Sequence, residues 1–319
     1  MTGYVIRRLL WGFALLIIVC ALTFVLFRVL PTGNPAVLRA GRDPQPKLIK
    51  EIERVLGLDK SLPAQFWEYV KNVFLHFNFG YSYYSQESVV DLIKERLPAT
   101  ASLTIGAAFV WMIAGLSVGV ISALKQRTFL DRSSMGSALV LISAPEFWLG
   151  LIVLLLFSSD IGKFKLFPGA GSYVGITDDP WKWFTSLIMP WCVLAAGSAA
   201  IFARLMRGQL IETMGEDYIR TARAKGLRER RVIRQGIRSS INPIVTLLAL
   251  EIGVLLGGAV LIEYVFNIPG IGRLAYTSIV QSDFEVIQGT VLLASMFIIL
   301  ANIVADIGYA YLDPRVRYS

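Results

Sequence analysis

Ten consecutive residues carry the clearest chemistry of this chain: Asp217-Tyr-Ile-Arg-Thr-Ala-Arg-Ala-Lys-Gly226. Their types suit mechanical contact, not bond making. Small and cationic residues alternate at spacings a helix tolerates. Lys225 falls in the last turn, where the helix dipole favours a cation, and Gly226 supplies a stop. Leu210, Met214, Tyr218 and Ala222 recur every fourth residue and predict one apolar ridge. Glu212, Glu216, Asp217, Arg220 and Arg223 fall elsewhere around the helix. Such a segment either rests on anionic lipid or seats in a cleft of another protein, with the ridge for contact and the charges for register. The candidate contact residues are Met214, Asp217, Tyr218, Arg220, Thr221, Ala222, Arg223, Lys225 and Gly226.

A second set is formed by carboxylates inside apolar runs. Glu146 stands beside Pro145 in one run and Glu251 lies within another. Ionisable groups at bilayer depth are costly, and they face a cavity or a partner. Two readings stay open for this pair: a translocation path that receives a cationic group, or pairing within a protein interface. Arg28, Arg204 and Asp306 lie near the ends of their runs, where snorkelling or ion pairing accounts for them. No arrangement of catalytic residues is present. The G-x-x-x-x-G-K-[ST] phosphate loop is absent, so no recognisable route to ATP hydrolysis exists in the chain. His76 is the only histidine, and Cys20 and Cys192 sit in apolar runs, which excludes a His-rich metal site and argues against a disulfide.

The elements that must hold these residues are membrane helices. The chain is 55% hydrophobic over 319 residues, with mean hydropathy +0.59. Six runs approach or exceed the roughly 20 residues a bilayer requires: 9–30, 99–124, 135–159, 187–206, 244–262 and 286–311. Backbone polar groups at that depth must be paired internally, so the runs are expected to be helices and the fold all-α. Under this topology, one side of the membrane collects 16 basic and 6 acidic residues, nine of the basic ones in the loop 207–243. The other side has 13 basic and 14 acidic. The basic side is expected to be cytoplasmic, with both termini there. The net charge of +8 is therefore topological, which disfavours nucleic acid as a partner. The run 9–30 is longer than a signal-peptide core and has no convincing cleavage site after it, so an uncleaved first helix is expected.

Three domains are expected: an N-terminal transmembrane helix (1–30), an extracytoplasmic helical cap (31–98), and a five-helix core with a cytoplasmic coupling loop at 207–243 (99–319). The cap opens with Pro31, Pro35, Pro44 and Pro46, then has Leu48, Ile49, Ile52, Val55 and Leu56 at helical spacing, ending at Gly57. Residues 65–77 form a second amphipathic stretch, with Phe66, Tyr69, Val70, Val73 and Phe77 on one side, and 89–97 form a third. The cap is either a solvated lid or a dock for an extracellular protein. Pro269-Gly-Ile-Gly272, flanked by Phe266 and other apolar residues, predicts a re-entrant loop over the bundle mouth. After Gly226, Ile233, Ile237 and Ile241 predict another helix, and Pro243 opens the next span. Gly253, Gly257, Gly258 and Ala259 read as a close-packing face, with a gating hinge as the alternative.

Arg220-Thr-Ala-Arg-Ala-Lys-Gly226 resembles the cytoplasmic loop motif of ATP-binding-cassette importer permeases. The likeness is greatest to the dipeptide/oligopeptide/nickel family, in its first-position permease subunit. It runs through Tyr4-Val-Ile-Arg-Arg8, Leu56-Gly-Leu-Asp59, Phe79-Gly-Tyr-Ser82, Arg96-Leu-Pro-Ala-Thr100, Pro145 with Phe147-Trp-Leu149, Pro269-Gly-Ile-Gly272 and Asp313-Pro-Arg-Val-Arg317. The chain departs from the general loop motif where Arg220-Thr221-Ala222 replaces Glu-Ala-Ala, and in a longer interval from Gly226 to Pro243. Both features resemble the peptide-type subfamily. Thr32-Gly-Asn-Pro35 lacks the acidic residue that more often precedes the proline, and Glu146 stands where a small hydroxyl residue is more usual.

The resemblance implies a six-helix permease of the type I importer kind in a prokaryotic inner membrane. It implies a second permease subunit completing a heterodimer, two cytoplasmic ATPase subunits that hold ATP and Mg²⁺, and an extracytoplasmic binding protein. It implies no cofactor and no bound metal in this chain itself. Short peptides are the expected substrate, with nickel complexes, glutathione and oligosaccharides as alternatives within the family. An ion-gradient transporter and a non-transporting membrane scaffold remain as readings from other classes.

Overall fold

The computed structural model describes residues 2–29, 36–37, 45–55, 58–82 and 84–312. Thr32-Gly-Asn-Pro35, Leu56-Gly57 and the 313–317 motif lie outside the described residues, as do the side chains of Tyr4, Arg28, Leu48, Ile52 and Val55. The secondary structure of the described residues is helical, with two isolated β-bridges and no strand.

Helix α1 (Thr2–Phe24) continues through a π-helical turn, Val25–Val29. Helices α2 (Pro46–Val55) and α3 (Leu62–Leu75) follow, then the long α4 (Val89–Leu124). Helices α5 (Phe129–Ser143) and α6 (Glu146–Phe157) precede the long α7 (Pro180–Met214). Two short helices, α8 (Asp217–Ala224) and α9 (Glu229–Ser240), lead into α10 (Asn242–Leu256). Helices α11 (Val260–Val265), α12 (Ile271–Gln281) and α13 (Phe284–Leu312) complete the chain.

Among the described residues, four helices are long and apolar enough to cross a membrane: α1, α4, α7 and α13. Two bent pairs bring the number to as many as six: α5 with α6, at 105°, and α9 with α10, at 47°. The expected third span, 135–159, is therefore not one straight helix. Pro145 removes a backbone donor and pushes the residue before it out of the α region, and Ala144 adopts ψ 128°. The expected fifth span, 244–262, is also interrupted. Helix α10 ends at Gly257, and Gly258 turns the chain with φ +125°.

The third amphipathic stretch of the expected cap, 89–97, is not a separate element. It forms the first turns of α4, which runs unbroken through Pro98. The second stretch does form α3, which packs along α1. Phe66 meets Phe24 and Phe74 meets Phe13, with ring centroids 5.5 and 5.3 Å apart. Phe77 falls beyond the helix end and is exposed, so it leaves the expected apolar side; Tyr69 and Val73 are buried there.

The core sits between α4 and α7. Trp111 and Phe202 pack at 6.2 Å, surrounded by the buried Leu103, Leu187 and Met206. Gly115 and Gly119 let the two backbones approach, since a Cβ on either would lie under 3 Å from α7 atoms. Asp179 caps α7 by accepting from the amides of Trp181 and Lys182, and the Lys182 amide is the main cause that holds its carboxyl below the ordinary value. Helices α1 and α13 run antiparallel. Phe27 meets Phe284 at one end, and Arg8 pairs with Asp306 at 3.0 Å near the other. That pairing places the start of α1 and the end of α13 on the same side of the bundle.

Candidate functional site

Helix α8 is a short bracket seated on its neighbours. Ile219 is fully buried and Ala222 nearly so, packed with Val232 of α9 and Met214 at the end of α7. The ridge expected from the sequence is thereby divided. Between Met214 and Asp217 the chain leaves the helix: Gly215 ends α7, and Glu216 is extended (φ −67°, ψ 150°) before α8 begins. The fourfold spacing therefore does not carry its phase across the break. Leu210 is buried in the main core, Met214 and Ala222 turn inward, and Tyr218 remains 40% exposed. Asp217, Arg220, Thr221, Lys225 and Gly226 are exposed as well.

The helix ends as Gly226 leads one to expect. Gly226 has φ +75°, its amide donates to the Arg223 carbonyl (2.9 Å), and the Leu227 amide donates to the Ala222 carbonyl (3.3 Å). These are the two bonds of a Schellman motif, which needs a left-handed residue at this position. Around the turn, Arg223 makes a two-pronged contact with Glu229, at 2.9 and 3.3 Å, and so sets α8 against the start of α9. Arg220 pairs with Asp217 at 3.3 Å within α8. Thr221 Oγ1 donates to the Asp217 carbonyl.

Helix α9 is fixed in turn to α7. A Cβ on Gly236 would meet Met214 Sδ at 2.8 Å, and Ser240 Oγ lies 3.0 Å from Thr213 Oγ1. The buried row is Val232, Gly236 and Ser240, one residue out of phase with the isoleucines that predicted the helix. Higher on α7, Arg207 clasps Asp131 through Nε (2.6 Å) and Nη2 (2.8 Å). Asp131 is 3% exposed, and it also accepts from Ser122 Oγ and the Arg127 amide. One carboxylate thus joins the ends of α4 and α7 to the start of α5. The sequence reading missed both Asp131 and Arg207. The local signal was only Thr128 three residues before Asp131, and Thr128 does cap α5.

On the opposite end of the bundle, two of the motifs converge. Thr100 Oγ1 donates to Glu263 Oε1 (2.7 Å) and accepts from the Ile271 amide (2.8 Å). Glu263 Oε2 accepts from the Arg273 amide (2.8 Å), so the buried carboxylate caps α12. Gly272 packs on the backbone of Val260, and a Cβ on Gly258 would lie 2.6 Å from Gly272 Cα. The Pro269–Gly272 turn therefore closes directly over the interruption of the fifth span. Ser82 Oγ donates to the buried Asp283 and ties the 79–82 motif to the start of α13. Glu263 and Asp283 are further residues the sequence reading passed over.

Glu146 and Glu251 fall on α6 and α10. Glu146 occupies the first turn of α6, just after the 105° bend, and is exposed on the single chain. Glu251 is half-buried on α10. Gly253 and Gly257 pack α10 on Ala301 and Ala294 of α13. Residue 251 is two positions from Gly253, about 200° around an α-helix, and so points away from that contact. An open cleft lined by Leu139, Ser143, Pro145 and Trp148 adjoins Glu146. Among the described residues, no group of three or more His, Cys, Asp or Glu is arranged for a metal ion.

Comparison with known proteins agrees with the resemblance drawn from the motifs. The family described as binding-protein-dependent transport system inner membrane component matches residues 115–318, and its N-terminal companion matches residues 1–104. A peptide transport system permease protein of Brucella abortus (strain 2308) is 37% identical over 320 residues, covering 100% of both chains. The glutathione transport system permease protein GsiC of Escherichia coli (strain K12) is 40% identical over 321 residues, again covering 100% of both.

Proposed function

The chain belongs to the binding-protein-dependent transport system inner membrane components and is a permease subunit of an ATP-driven importer; from that premise we propose that it imports short peptides. Full-length relatives named for peptide and glutathione transport support this, glutathione being itself a tripeptide. In this reading the chain crosses the membrane six times, with both termini and the 207–243 loop in the cytoplasm. A second permease completes the pore. Two ATPase subunits bind ATP and Mg²⁺, and an extracytoplasmic binding protein delivers the substrate.

The observation that carries the mechanism is the seating of α8. A push on its exposed face, at Tyr218, Arg220 and Lys225, is not absorbed locally. Ile219 and Ala222 press on Met214 and Val232, so the load passes to the end of α7 and to α9. From α7 it reaches α4 and α5 through the Arg207–Asp131 clasp. From α9 it reaches α10, which carries Glu251. Closure of the ATPases would thereby rotate the elements that flank Glu146 and Glu251. Asp217, Thr221 and Arg223 keep α8 in register, and Gly226 ends it. Met214 and Ala222 form the seat.

Two carboxylates set in apolar spans, Glu146 and Glu251, suit a substrate that brings a cation, such as a peptide amino terminus or a basic side chain. They oppose one with excess negative charge, so peptides of neutral or positive net charge are favoured over glutathione. The test is uptake into proteoliposomes by the complex purified with its permease, ATPase and binding-protein partners. ATP-dependent peptide uptake that disappears in Arg223→Glu with Gly226→Asp, the complex remaining assembled, is the expected result. Uptake unchanged in that variant would overturn the coupling assignment. Glutathione uptake without peptide uptake would overturn the substrate assignment.

A further inference from the structure

Helix α3 follows the outer part of α1 downward. Its contacts step from Phe66 against Phe24 to Phe74 against Phe13. The α1 residues so paired are about 16 Å apart along the helix axis, at 1.5 Å per residue. They belong to one continuous apolar stretch, Val5–Phe27. A solvated lid would have no reason to reach that depth.

The side chains of α3 change character along the descent. Lys60 and Glu68 pair at 2.6 Å near its start. Lys71 lies over the Trp67 ring, 5.5 Å from its centroid. Beyond Lys71 no Lys, Arg, Asp or Glu follows on α3, and its polar groups there are Asn72 and the capping His76. Leu75 and Phe77 at the tip are 69% and 70% exposed, and Trp67 is 60% exposed. The exposed side of α3 thus runs from the Lys60–Glu68 pair and the Trp67–Lys71 contact to a tip where the large apolar Leu75 and Phe77 flank His76. This is the order of groups met on passing from water through headgroups into acyl chains. Helix α1 beside it also carries exposed apolar side chains, with Leu10, Phe13, Ile18 and Leu22 each about half exposed or more.

We propose that α3 is a membrane-dipping wedge, with Trp67 and Lys71 at the headgroups of the outer leaflet and Leu75 and Phe77 among its acyl chains. The occupant of its exposed face is therefore phospholipid. Lys71 supplies a cation that suits a lipid phosphate, while the ring of Trp67 shields its stem. The N-terminal region would then hold α1 and the binding-protein side of the permease at a set height in the bilayer.

Spin labels placed singly at Ala64, Trp67, Lys71, Leu75 and Phe77 test this, in a Cys20→Ser, Cys192→Ser background, with the chain assembled with its partners in phosphatidylethanolamine/phosphatidylglycerol vesicles. Collision rates with oxygen, which enters bilayers, are compared with those of a water-soluble nickel chelate. The ratio of oxygen to nickel accessibility is expected to rise steadily along α3 and to be several-fold higher at 77 than at 64. Nickel accessibility at 75 and 77 equal to that at 64 would overturn the proposal in favour of a solvated lid. Immobile labels at 75 and 77, shielded from both reagents, would overturn it in favour of a protein partner on this face.

Discussion

Gly226 allows the coupling role of α8 to be tested through backbone conformation alone. Its φ of +75° lies in the left-handed region, yet a Cβ built there meets nothing within 4 Å. Replacement by alanine therefore carries no steric clash within the chain, only the conformational cost of a left-handed L-residue, about 1 kcal/mol. Asparagine tolerates the conformation and costs less, while valine costs more. A shift of about 1 kcal/mol multiplies the population of locally opened states roughly fivefold. Amide exchange at residues 224–227 should accelerate by about that factor in Gly226→Ala, with little change in the α4–α7 core. Ile219 opposes release of the whole helix, since full burial of such a side chain is worth about 1.5–3 kcal/mol. The last turn should therefore fray while α8 stays seated. ATP-driven uptake should fall in the order wild type, Asn, Ala, Val. Equal activity across the series would refute the need for a left-handed turn. Equal loss in Asn and Ala would refute the conformational argument differently, because the glycine would then be required for close approach of a partner.

Three further outcomes follow from the contacts. Arg223→Glu should impair coupling, and Arg223→Glu with Glu229→Arg should restore uptake if the pair only sets the register of α8 on α9; failure to restore, with the complex assembled, would place Arg223 in the ATPase contact. Thr100→Val leaves Glu263 and the Ile271 amide short of a buried partner, at a cost of roughly 3 kcal/mol, and should lower the unfolding temperature of the solubilised complex well below that of Thr100→Ser. Equal stability of the two would mean that the threonine hydroxyl does not hold the Pro269–Gly272 turn. Glu251→Gln and Glu146→Gln should reduce uptake of cationic peptides relative to neutral ones, measured in competition; unchanged ratios would remove the two carboxylates from the substrate path.

The properties legible in the sequence are those carried by composition and short-range geometry. Apolar runs marked the membrane helices because bilayer thickness sets their length without reference to neighbours. Gly226 marked a helix end because only the local backbone decides who can be left-handed there. Pro243 likewise opened α10 where a missing amide does no harm. The ordered motifs sufficed to indicate the family. Phase across breaks was not legible. Gly215 and Glu216 end α7 before Asp217, so the phase of α8 is set afresh: Ile219 and Ala222 face its seat, while Tyr218, about 100° around the helix from Ile219, stays exposed. The fate of Pro98 and Pro145 was equally undecided: one lies within a continuous helix and the other produces a 105° bend. Surrounding packing determines which outcome a proline has. Pairings across the chain belonged wholly to the tertiary structure. Asp131 meets Arg207 across 76 positions, Glu263 meets Thr100 across 163, and Ser82 meets Asp283 across 201. Each joins a buried carboxylate to a donor that only the folded bundle brings within reach, and burial without donors would be costly. The descent of α3 along α1 is of the same kind: its amphipathic pattern announced a helix, but only the phenylalanine contacts with α1 placed that helix beside the membrane span.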